Sequence, residues 1–118
     1  MILIVDDNRD LCDALAEFLA SQGHCVQCAA DGDEGLRRLA SSQTRPDLVL
    51  LDVAMPVLDG WGFLTKMRKK PEFADIPVVM MSGTSDIAER AKELGAVAVA
   101  RKPIPPEELL AVVHHFVG

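Results

Sequence analysis

The sequence predicts an α/β fold, a parallel sheet covered by helices on both faces. Three observations predict it. Short aliphatic runs, at residues 2–5, 48–51 and 77–81, are continuous rather than alternating, as strands buried on both faces require. The stretches between them repeat apolar residues at helical spacing. Several strands also stop abruptly at a polar or charged residue: Asp6, Asp52, Ser82 and Lys102.

The first strand, residues 2–5, runs into Asp6 and Asp7. A helix over 9–22 follows, with Leu11, Leu15, Phe18 and Leu19 on one side, Asn8 as its expected cap and Gly23 as the stop. A second strand over 25–29 leads to a helix carrying Leu36 and Leu39, which ends before Pro46. The third strand, 48–51, ends at Asp52. After a loop with Met55, Pro56, Asp59 and Gly60 comes a helix with Trp61, Leu64 and Met67 on one side, then a strand over 77–81. The loop 82–84 precedes a helix over 85–94 closed by Gly95; a strand over 96–101 precedes Lys102 and Pro103. A last helix from Pro106 turns Leu109, Leu110, Val113 and Phe116 inward. Five strands thus alternate with five helices, and right-handed crossovers make the sheet parallel and doubly wound. The ligand site of such a sheet lies beyond the carboxyl ends of its strands.

At 118 residues, about half of them apolar, the chain is expected to form a single domain over 1–118. A net charge of −6 argues against a nucleic-acid surface, which needs clustered Lys and Arg. The one basic cluster, Lys66, Arg68, Lys69 and Lys70, reads as the solvated end of a helix. No apolar run nears the roughly 20 residues that cross a bilayer, and residues 1–5 lead into acids, unlike a signal peptide. The expectation is a cytoplasmic protein with no membrane partner. Three cysteines, Cys12, Cys25 and Cys28, cannot all pair, so no secreted disulfide framework is expected. The Cys25 to Cys28 spacing imitates a metal knuckle, but on a strand residues three apart face opposite ways, and ordinary packing is the simpler reading.

On this register Asp6, Asp7, Asp52, Ser82 and Lys102 meet at one rim. Three carboxylates in one pocket repel, so either a pKa rises or a cation sits among them. All-oxygen ligands around a partly open site suit Mg²⁺, with Asp7 and Asp52 ligating directly, Asp6 largely through water, and the backbone carbonyl of Ala54 helping. A carboxylate beside that metal can attack a phosphoryl donor, Lys102 supplying an ammonium and Ser82 a hydroxyl to the phosphoryl oxygens. Blander readings stand beside these. Asp6 and Asp7 alone could cap a helix, Ser82 could be a turn residue, and Lys102 could be merely solvated. Asp59, Gly60 and Pro56 most simply shape a loop and helix start. His114 and His115, adjacent at a helix end, face different directions, and Trp61 most simply packs at the edge of the core.

The ordered set Asp6-Asp7, Asp52, Met55-Pro56, Asp59-Gly60, Ser82-Gly83 and Lys102-Pro103 resembles the response-regulator receiver family across essentially the whole chain. The resemblance implies a flavodoxin-like fold with strand order 2-1-3-4-5. It implies a phosphoprotein of two-component signalling that takes a phosphoryl group onto Asp52 from a sensor histidine kinase or histidine phosphotransfer protein. It further implies a cis Lys102–Pro103 bond and a downstream protein recognised by the face of the fourth helix, fifth strand and fifth helix. Such a domain is a switch that catalyses only its own phosphorylation and dephosphorylation. Receivers usually carry Tyr or Phe three residues before the lysine; here Val99 stands there. The flanking positions that tune phosphoryl lifetime in the family are Ala54 and Thr84, neither acidic nor an amide, and slow self-dephosphorylation is expected. Because residue 118 follows the last helix closely, a stand-alone regulator and a piece of a hybrid kinase or longer regulator both fit.

Two rivals come from other classes. An interaction module that keeps the fold without phosphorylation is disfavoured by the complete acid, serine and lysine set. A phosphohydrolase acting on outside substrates would need a lid and a general acid two residues after Asp52, where Ala54 stands. No glycine-rich dinucleotide or phosphate-binding loop follows the first strand.

Overall fold

A computed structural model describes residues 1–41, 43–84 and 86–117. Their element order is β1 (Ile2–Val5), α1 (Arg9–Ser21), β2 (Val26–Ala29), α2 (Gly32–Ser41), β3 (Leu48–Asp52), α3 (Gly60–Arg68), β4 (Val78–Ser82), α4 (Ala88–Glu93), β5 (Ala98–Arg101) and α5 (Pro106–Val117). The five strands form one parallel sheet in the order β2-β1-β3-β4-β5. This is the doubly wound five-stranded fold expected, with the winding reversing between β1 and β3.

Alternation along each strand divides the core into two layers. Leu3, Val5, Val49, Leu51, Val78 and Met80 face Leu39, Phe63, Leu64, Met67 and Ala91 of α2, α3 and α4. Ile2, Ile4, Leu48, Leu50, Val79, Met81 and Ala100 face Cys12, Leu19, Leu109 and Val113 of α1 and α5. All of β1, β3 and β4 is buried, which is why their sequences read as unbroken aliphatic runs.

Helix ends follow the expected signals. Asn8 Oδ1 accepts the Leu11 N–H at 3.1 Å, and Gly23 and Gly95 follow their helices at positive φ, where a side chain would be strained. Asp59 caps α3 by accepting the Gly62 N–H at 2.8 Å. Gly60 is required by space: a Cβ there would lie 2.2 Å from the Asp52 carbonyl oxygen.

The structure corrects four expectations. The fourth helix starts at Ala88, three residues later than expected; Ser85 lies outside the described residues. Thr84 and Asp86 bond to each other through their side chains at 2.6 Å, a local alternative to helix, and Ile87 provides no side-chain cap. β5 begins at Ala98, not Ala96, because the Ala96 N–H is still used by the Ala91 carbonyl closing α4. Arg68 is not the solvated helix end that its cluster suggested. Its guanidinium turns back, half-buried, and donates to the carbonyls of Ala74 at 2.9 Å and of Ile76 and Gly95 at 2.8 Å, fastening the α3–β4 and α4–β5 loops together. Finally, Cys28 is not simply packed: it forms a disulfide with Cys12, joining β2 to α1, and leaves Cys25 a free, exposed thiol.

Candidate functional site

The register of the sheet assembles the site. Val5 pairs with Leu51 and Asp52 with Met81, so Asp6, Asp52 and Ser82 emerge side by side at the carboxyl ends of β1, β3 and β4. The Lys102 N–H donates to the Ser82 carbonyl at 2.8 Å, which brings the residue after β5 to the same rim. The Lys102–Pro103 bond is cis, as the family resemblance implied.

The expected carboxylates converge. Asp6, Asp7 and Asp52 each place an oxygen within 4.8 Å of the others. Asp6 and Asp52 are only 2% and 7% exposed, whereas Asp7 is open to solvent. Lys102 Nζ lies 2.7 Å from Asp6 Oδ2 and 3.2 Å from Asp52 Oδ1. That Asp6 oxygen is buried and accepts no hydrogen bond of good geometry, so the ammonium holds it by charge. The other Asp6 oxygen, Oδ1, accepts the Asn8 N–H at 2.9 Å.

Burial pushes the Asp52 carboxyl above the ordinary carboxylate range; the Asp6 charge adds to this, and the charge and hydrogen bond of Lys102 offset it only in part. Burial works the other way on Lys102, but contact with Asp6 and the charges of Asp6 and Asp52 outweigh it, so its pKa stands above that of a free lysine. The cluster therefore carries more negative charge than one ammonium neutralises. An incompletely bonded buried oxygen and three carboxylates, with no soft ligand among them, fit a hard divalent cation.

Ser82 is nearly buried, and its Oγ accepts the Thr84 N–H at 3.1 Å and touches Thr84 Oγ1 at 3.3 Å. Asp86, which the sequence did not single out, accepts from Thr84 Oγ1. Its signal lay in the Ser82-x-Thr84-x-Asp86 spacing, which suits short side chains bonding two residues apart. Ala54 sits exposed two residues beyond Asp52. In the same loop Val57 is 79% exposed at φ 67°, with the Leu58 N–H bonded to the Pro56 carbonyl at 2.7 Å. Val99 is partly buried against the α2–α3–α4 layer and lines an open groove of about 550 Å³ with Ala88, Lys92 and Val97. Trp61 packs on the core edge as expected, and the Arg90 guanidinium stacks 4.5 Å from its ring centroid.

Residues 2–114 match the family described as the response regulator receiver domain. The chain belongs to that family. Receiver domains are signalling switches of two-component systems rather than conventional enzymes. This receiver is similar to the probable transcriptional regulator ycf27 of Guillardia theta, 39% identical over 93% of this chain but only 42% of the relative. The receiver thus spans less than half the length of the curated relatives it matches first. Its fold superposes on the chemotaxis protein CheY4 of Vibrio cholerae with a TM-score of 0.88 at 30% identity, covering 98% of this chain and 96% of that one. The receiver domain of NtrX from Brucella abortus gives the same TM-score at 33% identity, covering 99% and 98%. No helix of the described residues is long and apolar enough to cross a membrane.

Proposed function

We propose that this receiver, taken as one domain over 1–118, accepts a phosphoryl group on Asp52 from a phosphohistidine of a sensor kinase or phosphotransfer protein in a Mg²⁺-dependent reaction. The observation that carries the reading is the buried Asp52 carboxylate, within 4.8 Å of the oxygens of Asp6 and Asp7 and 3.2 Å from Lys102 Nζ. Asp6, Asp7 and Asp52, with the backbone carbonyl of Ala54, would hold the cation. When bound, it would offset the negative charge of the incoming phosphoryl group and of the acids around it.

The chain's own residues do the rest. One Asp52 oxygen attacks phosphorus as the bond from phosphorus to the donor nitrogen breaks, and the departing imidazole keeps that electron pair. Lys102 Nζ, already between Asp6 and Asp52, can transfer its contact to a phosphoryl oxygen. Ser82 is placed to turn its hydroxyl toward another, at the expense of its contact with Thr84. This motion and the added charge bias the face of α4, β5 and α5 toward a downstream protein. With Val99 in place of the aromatic residue, the ring rotation of other receivers has no counterpart, and Ser82 with its loop carries the change. The reading is of a cytoplasmic switch that catalyses its own phosphorylation and dephosphorylation. The net charge of −6 is a poor match for nucleic-acid phosphates, and the relatives of this receiver include longer probable transcriptional regulators.

Mixing the protein with a small phosphodonor such as acetyl phosphate and Mg²⁺ should add one phosphoryl mass, which Asp52→Asn and chelation of the cation should each abolish. A folded protein that never gains that mass would favour the phosphorylation-independent interaction module. Once formed, the adduct should decay slowly, since neither Ala54 nor Thr84 orients an attacking water; a mass time course reads this, and rapid loss would contradict it.

A further inference from the structure

Two strands of bonding run from the Cys12–Cys28 disulfide to the same aspartate. On the α1 side, the Cys12 N–H donates to the Asn8 carbonyl at 3.0 Å, and the Asn8 N–H donates to Asp6 Oδ1 at 2.9 Å. On the β2 side, Ala29, the next residue after Cys28, accepts the Asp6 N–H at 3.0 Å through its carbonyl. The disulfide therefore closes a ring through Cys12, Asn8, Asp6, Ala29 and Cys28 in which every link is a covalent or hydrogen bond. Both cysteines also line an open cavity of about 230 Å³ together with Asp6, Arg9 and Arg38. Cys12 is buried, but Cys28 is only partly so, and this cavity gives a small reagent a route to the bond. In a reducing compartment disulfides are usually transient and redox-sensing rather than structural.

We propose that Cys12 and Cys28 form a redox-responsive dithiol–disulfide pair that fixes Asp6 and thereby sets the affinity of the Asp6–Asp7–Asp52 cluster for a divalent cation. Oxidation by a peroxide joins the two sulfurs, breaks the O–O bond, and carries the two thiol protons and two electrons into water. Reduction by two equivalents of a small thiol returns both protons and leaves that thiol as its own disulfide. In the oxidised form Asp6 is held from both sides. In the dithiol form the covalent link is gone, α1 and β2 can separate, and the cation must first order Asp6 before using it. The cation half of this proposal rests on the functional reading above; the redox half stands on the disulfide alone.

The test uses the whole chain in its two redox states, with Cys25→Ser to remove the exposed thiol. Intact mass should differ by two hydrogens between protein treated with peroxide and protein treated with a thiol, and circular dichroism should show both forms folded. Amide exchange at Asp6, Asn8 and Cys12 should accelerate several-fold on reduction, measured without any cation. Calorimetric titration with Mg²⁺ should then give an affinity roughly fivefold or more weaker for the dithiol form. Cys28→Ser in the same background should bind Mg²⁺ equally with and without peroxide. A chain whose thiols remain free after peroxide treatment overturns the pair, as does unchanged amide exchange. Equal Mg²⁺ affinities in the two states overturn its coupling to the site. Failure of every form to bind Mg²⁺ sinks the site reading itself and the coupling with it, while mass and exchange still decide whether the cysteines act as a pair.

Discussion

Asp52 carries its charge where the protein resists it, and that tension can be measured. Its folded-state pKa is raised by burial and by Asp6, so the folded state holds the proton more tightly than the unfolded chain does. The sign follows: without divalent ions, stability is highest at the acid side of this window. It falls as pH rises from the ordinary carboxylate range through the raised value of Asp52. Asp52→Asn should remove that dependence and stabilise the cation-free fold at neutral pH by on the order of 1 kcal/mol, read by denaturant unfolding at several pH values. If the variant is less stable than the parent at neutral pH, the charge argument is wrong. Lys102→Ala acts in the opposite sense, because it leaves a fully buried Asp6 oxygen without its cation; a loss of roughly 2 kcal/mol or more is expected in the same assay. Val57 gives a third test. A β-branched residue at positive φ is strained, and its side chain is almost fully exposed, so Val57→Gly should stabilise the fold by about 1 kcal/mol. No gain would mean that the extra backbone freedom glycine gives the unfolded chain offsets the relieved strain.

At the scale of elements, the site depends on how closely α3 approaches the end of β3. Gly60 donates its N–H to the Val53 carbonyl at 2.8 Å, and the absence of a side chain lets α3 begin against the Asp52 backbone. Gly60→Ala should cost about 3 kcal/mol in thermal or denaturant unfolding, since the clashing partner is backbone and cannot rotate away. A near-neutral effect would show that the loop can shift. The same element explains what could be read from sequence. Asp59 and Gly60 were legible as a turn and helix start because capping chemistry is local. The late start of α4 was not, because the Thr84 to Asp86 bond competes with helix in a way that apolar periodicity does not report. Phe63, fully buried on α3, and the inward turn of Arg68 were also hidden, because both depend on what the neighbouring elements present to them. The pairing of Cys12 with Cys28 joins positions 16 apart, and only the packing of α1 on β2 reveals it.

The whole molecule is what turns scattered residues into a site. Four of the five strands, ending at Asp6, Asp52, Ser82 and the residue before Lys102, made the rim legible from the alternation of strands and helices, because a parallel sheet aligns all its carboxyl ends. The strand order came from family resemblance, since alternation alone permits other orders. A cation that binds only the folded chain stabilises the entire fold by mass action, so saturating Mg²⁺ should raise the unfolding temperature by a few degrees and a chelator should reverse it. Asp52→Asn should lose most of this response. Asp52 is the proposed phosphoryl acceptor, and the direct measurement is to locate that group. After reaction with acetyl phosphate and Mg²⁺, borohydride reduces an acyl phosphate on aspartate to homoserine, which peptide mass mapping can place. Conversion at Asp52 alone is the predicted result; conversion at Asp6 or Asp7, or a phosphoryl group found on serine or histidine with Asp52 unchanged, would contradict it.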